Sequence, residues 1–358
     1  MRLLSNEEVA TVLDWPSVIE ELRKLYQEVG SGISVSTPRT DLHHPGPPSP
    51  DGSPTAHYLK AMGGGFVGGG VAALRLSSDR VRFVSNPSGL RRVKDPVRPG
   101  RWLGLILLFD LHTGELVAVL PDGVIQRMRV GATNALADDY LARPEIETVA
   151  VFGSGDQAEA HLQALASVRS FDRVRVWSPT PEHRGRFAAR MQERLERPVE
   201  AADTPEAAVA GADLLMTATN SRQGFVPVAW IRPGLHLSTL QRDELTPAAI
   251  QAVDRLVVHT QLWEVNATSA GLPWVEGRLL RDHPESASVA WEGYPTLGDL
   301  VAGRAPGRQR GEEVTAFVNN IGLGAQFAAV AGLAWRRCRE LGLGRELDPE
   351  WFLQAMHP

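Results

Sequence analysis

Hydrophobic and polar positions follow two different periods along the chain. A capping box at residues 5–8 and a second helix that ends near Gly30 open the sequence. Residues 31–55 are rich in Pro, Ser, His and Gly and predict a long loop. Between about 57 and 120, short apolar runs alternate with turns, and residues 111–114 predict a hairpin. The first third is therefore predicted to be β-rich, with helices ahead of the strands.

The pattern changes near residue 125, where a helix with small residues on one face is predicted over 125–142. Short apolar strands then alternate with helical stretches, which is typical of βαβ units and a parallel sheet; the strands are 148–152, 174–177, 214–219, 235–240 and 255–260. A last long helix is predicted over about 315–342.

The length of 358 residues is compatible with about two domains. We predict a first domain over 1–126, rejoined by 315–358, and a second domain over 127–314. The fold class predicted is α/β.

Composition narrows the class of protein. The chain has 37 Lys and Arg against 42 Asp and Glu, a formal charge of −5, which argues against a nucleic-acid partner. A single cysteine excludes a disulfide framework, and no apolar run is long enough to predict a membrane span. The first residues carry acids where a signal peptide would be apolar, so we expect a cytoplasmic protein. The ten His residues have no metal-ligand spacing, so no metal site is predicted.

A glycine-rich turn follows the strand 148–152 directly and opens a helix. It matches the dinucleotide fingerprint G-x-G-x-x-[GA] in the required context, with the residues Gly153, Ser154, Gly155, Asp156, Gln157 and Ala158. The first glycine allows a tight turn, the second lets the backbone approach a pyrophosphate, and the helix start favours the anion. We predict a bound nicotinamide dinucleotide here.

The end of the next strand bears on the choice between NAD and NADP. An acid at that end would hold the ribose hydroxyls of NAD, but Asp172 precedes the strand 174–177 and lies at its opposite end. Ser178, Thr180 and Arg184 suit a 2′-phosphate instead, although Thr180 could also cap the following helix. The sequence favours NADP(H) over NAD(H).

Several segments together resemble the ornithine cyclodeaminase/mu-crystallin family. They are Pro38-Arg39, TGELVAVLPDG (113–123), the segment from Arg127 to Ala132 leading into ALADDYLARP, the fingerprint at 153–158, GADLLMTATNS (211–221), Pro233 to His236 leading to Asp243, and the closing helix from Thr315. The resemblance covers most of the chain. It implies a Rossmann dinucleotide-binding domain, an α+β substrate-binding and dimerisation domain, an active site between them and a homodimer.

The resemblance also implies a set of substrate-binding cations. Arg39 and Arg129 match family positions that bind the substrate, and a guanidinium suits an α-carboxylate well. Arg75 stands where much of the family has a lysine, and an arginine cannot readily exchange a proton near neutral pH. Lys60 is therefore a candidate for the proton chemistry of that lysine, because burial can tune the pKa of a lysine.

Asp243 matches the family's aspartate beside the nicotinamide and the substrate amine. A carboxylate there can hydrogen-bond an iminium or act as a general acid or base. The chain is shorter than typical members after Asp243, so Glu244 is a rival for the role, and Asp243 could instead cap the next helix. Thr217, Thr219 and Asn220 follow a neighbouring strand and are expected to line the cofactor cleft.

These features predict an NAD(P)H-dependent oxidoreductase that acts on the C–N bond of a small amino or imino acid carboxylate. Imine (ketimine) reduction and amino acid oxidation are the same chemistry in opposite directions. Two alternatives stay open: an ornithine cyclodeaminase that recycles NAD, and a small-molecule-binding protein without catalysis. Neither a nucleic acid nor a membrane is an expected partner.

Overall fold

The computed structural model describes residues 1–86, 89–221, 224–262, 264–270 and 288–356. The helices in these ranges are α1 (Asn6–Val12), α2 (Trp15–Gly30), α3 (Gly123–Leu141), α4 (Asp156–Ala166), α5 (Pro181–Leu195), α6 (Pro205–Val209), α7 (Pro247–Gln251), α8 (Leu297–Val301) and α9 (Gly324–Glu340). The capping box of α1 is present, because Ser5 accepts from the amide of Glu8 and the Glu8 side chain accepts from that of Ser5. The predicted start of the chain is confirmed.

A nine-stranded sheet occupies the first third of the chain and is completed by two strands from later in the sequence. Its strands are β1 (Arg2–Leu3), β2 (Arg39–Gly46), β3 (Thr55–Phe66), β4 (Val71–Asn86), β5 (Gly89–Asp95), β6 (Leu103–Asp110), β7 (Leu116–Pro121), β14 (Val265–Ser269) and β16 (Arg345–Glu346). They lie in the order β14-β2-β3-β4-β6-β7-β1-β16, and β5 pairs with the far end of β4. The predicted hairpin joins β6 to β7.

Helix α9 packs on β3, β4 and β6 of this sheet, and α2 and α3 pack against α9; together they form the main hydrophobic core. The glycine run of β3 permits a close contact with the start of α9. A Cβ added to Gly64 would lie 2.8 Å from the Ala325 Cα and closer still to the Ala325 amide, so only glycine allows this approach of two backbones. The amide of Ala325 donates to Ser36 Oγ at 3.0 Å.

A seven-stranded sheet, parallel throughout, forms the second half. It consists of β8 (Thr148–Phe152), β9 (Arg173–Trp177), β10 (Val199–Ala201), β11 (Leu214–Thr217), β12 (His236–Thr239), β13 (Arg255–Val258) and β15 (Thr315–Val318), in the order β10-β9-β8-β11-β12-β15-β13. Separate hydrophobic clusters lie on its two faces, which explains why its strands read as continuous apolar runs. The predicted α/β class with a parallel, Rossmann-type sheet is confirmed.

Two predicted elements differ from the structure. Residues 315–318 form β15 inside the parallel sheet, and the last helix begins only at Gly324 and ends at Glu340. A short buried apolar run has no periodicity that separates a strand from a helix, and the sequence signal was ambiguous for that reason. The predicted loop over 31–55 contains β2, because β14 and β3 supply its backbone partners from distant parts of the sequence.

Two strands belong to a different sheet from the one that the predicted domain division implies. β14 lies within 127–314 but pairs in parallel with β2 of the first sheet, and β15 lies within 315–358 but belongs to the second. The division into domains at 126 and 314 stays a prediction. Within the described ranges, no helix is both long and apolar enough to cross a bilayer.

Candidate functional site

The carboxyl ends of the parallel strands meet at one edge of the seven-stranded sheet, which is where ligands bind in open α/β sheets. The segments that leave this edge follow β8, β11, β12 and β15. They contain the glycine-rich turn, the 218–220 segment, Asp243 and the 319–323 segment. The predicted site residues of the second half are thus distributed along a single edge.

The glycine-rich turn has the geometry of a dinucleotide-binding turn. Gly153 has a φ of 116°, a left-handed conformation that favours glycine, and its amide donates to the Trp177 carbonyl at 3.0 Å. A Cβ at Gly153 would lie 3.0 Å from the carbonyl carbon of Ala218, whereas a Cβ at Gly155 would meet open space. Gly155 is the N-cap of α4 and brings no side-chain cap to it. The backbone amides at the start of α4 therefore suit a pyrophosphate.

Residues beside this turn offer further polar groups. Ser154 Oγ donates to Ser178 Oγ at 3.1 Å, and Asp156 and Gln157 open α4. Oε1 of Gln157 is buried and has no hydrogen-bond partner among the residues described. These observations fit the predicted cofactor position, although each individual contact with a cofactor stays a prediction.

Arg184 lies at the tip of β9, next to the predicted 2′-phosphate position. Its Nη1 donates to the backbone carbonyl of Ser178 at 3.1 Å, and its Nη2 is 4.0 Å from the fully exposed Asp203. Thr180 occupies the N-cap position of α5 but makes no side-chain cap hydrogen bond. The hydroxyl of Thr180 is exposed and the guanidinium of Arg184 is only loosely paired, so both groups remain available to a ligand.

The sequence left Glu244 as a rival of Asp243 for the catalytic role. In the structure, Glu244 is instead held inside the fold by hydrogen bonds. Its carboxylate accepts five hydrogen bonds, from the hydroxyls of Thr217 and Thr219 at 2.8 and 2.7 Å and from the amides of Thr219, Leu240 and Gln241 at 2.9 to 3.0 Å. Burial raises the pKa of Glu244, and these donors oppose the rise. Glu244 ties the end of β11 to the end of β12. The hydroxyls of Thr217 and Thr219 face Glu244, while Asn220 is exposed.

Asp243 differs from its neighbour in its hydrogen bonding. It lies in a 3-10 turn (Arg242–Glu244) that directly follows β12. Its Oδ1 is buried and has no hydrogen-bond partner in the described part of the chain. Unpartnered buried carboxylate oxygens are uncommon because they lose hydration without replacement. Asp243 thus has hydrogen-bonding capacity left for a ligand.

Arg129 is a buried cation that lies against the same edge. Its guanidinium donates to Gln326 Oε1 at 2.7 Å and to Gln126 Oε1 at 2.8 Å. Within the residues that the structure describes, no carboxylate lies within 4.0 Å of it. Burial and the nearby Arg75 lower the pKa of Arg129 to about 9. A charge buried without a counter-ion is costly, so this position suits a cation that an anionic ligand completes.

Arg75 of β4 lies beside Arg129 and has a carboxylate of its own. Its Nε and Nη2 lie 2.7 and 2.6 Å from Oδ2 of Asp122, the N-cap residue of α3. Both guanidiniums lie over the ring of Phe327, at 5.5 Å for Arg75 and 4.5 Å for Arg129. Among the described residues, Asp122 neutralises Arg75, so the positive charge of Arg129 is left for a ligand.

Arg39 and Lys60 lie on neighbouring strands of the nine-stranded sheet. Arg39 forms a two-pronged pair with Asp41, with Nε–Oδ1 and Nη2–Oδ2 distances of 2.9 and 3.1 Å. Lys60 donates to Asp79 Oδ2 at 3.3 Å, and burial together with the nearby Arg92 lowers the pKa of Lys60 to about 8. The substrate-binding role of Arg39 and the catalytic role of Lys60 stay predictions, since both side chains have carboxylate partners within the protein.

The sequence did not identify the residues that hold Arg129 in place. Gln126 lies one helical turn before Arg129 and could have been found by its i, i+3 spacing. Gln326, Phe327 and Gly322 lie about two hundred residues away, and no local signal connects them to Arg129. A Cβ at Gly322 would lie 2.7 Å from Nη2 and 2.8 Å from Cζ of Arg129, so any larger residue there would displace the guanidinium.

A buried pair stabilises the segment that carries Gly322. Nδ1 of His259 contacts the carbonyl oxygen of Ile321, and Nε2 contacts the hydroxyl of Tyr26. A carbonyl only accepts, so Nδ1 carries the proton and Nε2 accepts from the Tyr26 hydroxyl. Burial lowers the pKa of His259 to about 3 and raises that of Tyr26, so both are neutral near pH 7.

The arrangement places cations and an unpartnered carboxylate around the carboxyl edge of a dinucleotide-binding sheet. Guanidinium groups can anchor a carboxylate, and Asp243 can hold or exchange a proton. A nicotinamide bound at the glycine-rich turn would supply hydride chemistry there.

The proteins that are similar to this chain include several that are named as imine reductases. A Δ(1)-pyrroline-2-carboxylate reductase of Bacillus cereus is 28% identical over 250 residues, which is 68% of this chain and 74% of that protein. Ketimine reductase mu-crystallin of Rattus norvegicus is 28% identical over 233 residues, covering 64% of this chain and 68% of that protein. The structure of Thermococcus litoralis Δ(1)-pyrroline-2-carboxylate reductase with NADH and L-proline has the same fold, with a TM-score of 0.74 and 24% identity over 97% of this chain and 100% of that one.

The sequence model of one family matches residues 94–340, which is more than half of the chain. The match includes the glycine-rich turn, Arg129, Asp243 and all of α9. The chain therefore belongs to the ornithine cyclodeaminase/mu-crystallin family.

Proposed function

We propose that this protein is an NADPH-dependent reductase of imines that carry an α-carboxylate. The observation that carries the proposal is Arg129, a buried guanidinium that has amide oxygens but no described carboxylate around it. An imino acid carboxylate would complete this site and place its C=N bond at the carboxyl edge of the parallel sheet. The names of the Bacillus cereus and rat relatives support the same chemistry.

Different residues of the chain bind the substrate carboxylate and handle the proton. Arg129 binds the substrate carboxylate, Arg75 adds a second cation beside it, and Phe327 packs against both guanidiniums. When bound, the nicotinamide supplies a hydride to the imine carbon. The electron pair of the C=N π bond then passes to the nitrogen, which takes a proton. Asp243 is the proton donor or the group that orients the nitrogen, because its Oδ1 has no other described partner.

We infer NADP(H) as the preferred cofactor. The residues after β9 include no acid before α5, and Ser178 and Arg184 lie together after this strand, where an acid would hold the ribose of NAD. Arg184 has one carbonyl and one distant, exposed aspartate as partners, so its charge is largely unneutralised. A 2′-phosphate can accept hydrogen bonds from this guanidinium and from the hydroxyls nearby.

We also infer a homodimer. The face of the nine-stranded sheet opposite α2 and α9 is lined by half-buried apolar side chains: Leu59, Leu74, Leu76, Leu105, Leu107 and Phe109. A second copy with the same face would bury these side chains in an isologous sheet-on-sheet contact.

Turnover assays test the function directly. The purified protein would be incubated with NADPH or NADH and a cyclic imine carboxylate, or with pyruvate and methylamine, and nucleotide oxidation followed by absorbance. Ammonia release from ornithine would be measured in parallel. The expected result is NADPH-dependent turnover of the imine with no ammonia release. Conversion of ornithine to proline and ammonia with catalytic NAD would overturn the reductase and identify a cyclodeaminase instead.

An Arg129→Met variant tests the role of this residue in substrate binding. It should lose imine turnover but keep its affinity for NADPH, because Arg129 lies away from the glycine-rich turn. A variant that turns over the imine as the native protein does would contradict the role of Arg129. A native protein that binds NADPH but reduces neither imine would contradict the function.

A further inference from the structure

Lysine is rare in this protein, and two of the three lysines meet at one aspartate. The chain has 37 Lys and Arg in total, of which the lysines are Lys24, Lys60 and Lys94. Lys60 and Lys94 both bind Asp79, with Nζ–Oδ2 distances of 3.3 and 2.9 Å. Asp79 and Lys60 are buried, with 5% and 12% of their side chains exposed. This cluster lies outside the site built around Arg129.

The strand register places the cluster on the same sheet face as Arg75. Paired residues of an antiparallel ladder share a face, and Lys60 pairs with Ser77, two residues along β4 from Arg75. Asp79 lies two residues further along the same strand, and Lys94 of β5 pairs with Val81. Successive residues on one face of a strand are about 7 Å apart. Lys60 is therefore in the row next to Arg75, within reach of one small ligand.

The cluster has more positive than negative charge. Arg39 neutralises Asp41, while Asp79 serves both Lys60 and Lys94. Arg92 adds a further cation, with its guanidinium 5.5 Å from the centre of the Tyr58 ring and no ion pair among the residues described. Within the part of the chain that the structure describes, four cations face two carboxylates, which leaves an excess of about two positive charges. Burial is the largest cause of the low pKa of Lys60, about 8, and the charges of Arg92 and Lys94 lower it further.

His43 lies beside the cluster and does not change its excess of positive charge. His43 stacks on Tyr58 with ring centres 3.8 Å apart, and burial lowers the pKa of His43, so it adds no charge near pH 7. Its Nε2 is buried and has no hydrogen-bond partner within the described ranges, although Asp41 lies 3.7 Å away. A cross-strand ion pair that only stabilised the sheet would need one cation on Asp79. The second lysine and Arg92 together suit an added anion.

We propose that Lys60, Lys94 and Arg92 form a subsite for a second carboxylate, and that the preferred substrate is an imine of a dicarboxylic acid. The proposal rests on the proposed function, since it assigns the first carboxylate to Arg129 and Arg75. The second carboxylate lies one row along the sheet face and is bound by the lysine ammonium groups. Lysine suits this role because it presents a compact charge to a single oxygen without the fork geometry of arginine.

Matched substrates test the subsite. NADPH oxidation would be followed with ammonium and 2-oxoglutarate or oxaloacetate, and with ammonium and 2-oxobutyrate or pyruvate. The dicarboxylic partners should have a kcat/KM at least about tenfold higher, the effect of one charge-assisted hydrogen bond. A preference for the monocarboxylic partners would overturn the proposal while leaving the reductase function intact. No turnover of either class would instead contradict the proposed function.

Lysine variants locate the preference in the cluster. Lys94→Met should lower kcat/KM for the dicarboxylic imine about tenfold while changing that for the monocarboxylic imine much less. Lys24→Met is the control, because Lys24 lies on α2 with 58% of its side chain exposed and should leave both values unchanged. If Lys94→Met lowers both values equally, the lysine is structural and the proposal fails.

A binding measurement avoids dependence on catalysis. In the presence of NADP⁺, glutarate should raise the melting temperature of the native protein more than butyrate does at equal concentration and ionic strength. The difference should disappear in Lys94→Met and persist in Lys24→Met. An equal effect of both acids on the native protein would contradict a second carboxylate site.

Discussion

Replacing Gly322 by alanine is the sharpest test of the site around Arg129. The added methyl group would lie 2.7 Å from Nη2 and 2.8 Å from Cζ of the guanidinium. A normal contact needs about 3.5 Å, so the guanidinium must retreat by about 1 Å. Gln126 and Gln326 hold it by hydrogen bonds and Phe327 by stacking, so the retreat displaces it from the position that binds a carboxylate.

The expected effect is large and specific. Misplacement of a positioning group by 1 Å can cost about 100-fold in rate, which corresponds to about 2.7 kcal/mol. We therefore expect kcat/KM for the imine to fall about 100-fold in Gly322→Ala, mostly through KM. The dissociation constant of NADPH should stay within about threefold of the native value, because the glycine-rich turn at Gly153 is untouched.

The assay combines steady-state turnover, NADPH titration by fluorescence and thermal unfolding. Gly311→Ala is the matched control, since a Cβ at Gly311 meets no atom within 4 Å. This control should retain native kinetics. A Gly322→Ala variant that folds, binds NADPH and reduces the imine at the native rate would refute the assignment of Arg129 to the substrate carboxylate.

Four further predictions concern other parts of the site. Asp243→Asn should lower kcat about 100-fold or more with unchanged NADPH affinity, and unchanged turnover would move the proton chemistry elsewhere. Glu244→Gln should instead destabilise the fold by about 3 kcal/mol in urea unfolding, because five donors lose a charged acceptor; equal stability would contradict its structural role. Arg184→Met should raise KM for NADPH about tenfold and leave that for NADH unchanged, and an equal rise in both would refute the 2′-phosphate assignment. The pKa of Lys60 is lowered from 10.5 to about 8 in the folded protein, so the unfolded chain binds more protons than the folded one when the pH lies between these values. The free energy of unfolding should therefore rise with pH across that window, and Lys60→Met, which removes a group facing Asp79, Lys94, Arg92 and Asp41, should abolish the rise.

Local chemistry accounts for the features that the sequence predicted well. The glycine-rich turn after β8 needs a positive φ at Gly153 and an open helix start, and both requirements are visible in the order of residues. The parallel strands are buried on both faces, so each appears as an apolar run of nearly the correct length. The predicted boundaries differ by a few residues from those observed, because strand ends depend on partners in the sheet.

Long-range contacts account for the features that the sequence missed. β2 lies in a segment rich in Pro and Gly and becomes a strand only between β3 and β14. β15 was predicted as part of a helix, since an apolar run of four residues fits either element. The partners of Arg129 lie at the start of α3 and at the start of α9, and no spacing rule connects segments that distant.

Glu244 and Asp243 show, at two adjacent residues, the difference between what the local sequence predicts and what long-range contacts determine. The sequence places two adjacent carboxylates after β12 and cannot distinguish their roles. In the structure, the 3-10 turn directs Glu244 into a buried ring of donors and leaves Oδ1 of Asp243 without a described partner. The difference arises from where the neighbouring strand β11 ends, which is a property of the sheet.

The sequence by itself determined the family, the dinucleotide-binding turn, the parallel sheet and which arginines are candidates for a carboxylate. These properties depend on residues close together in the chain, where turn geometry and hydrophobic period act. Only the tertiary structure decided which cations are already neutralised, as Arg39 is by Asp41, and which have no ion pair among the described residues, such as Arg129. The electrostatic free energy of a charge depends on everything within a few ångströms, and at Arg129 those neighbours come from residues about two hundred positions apart.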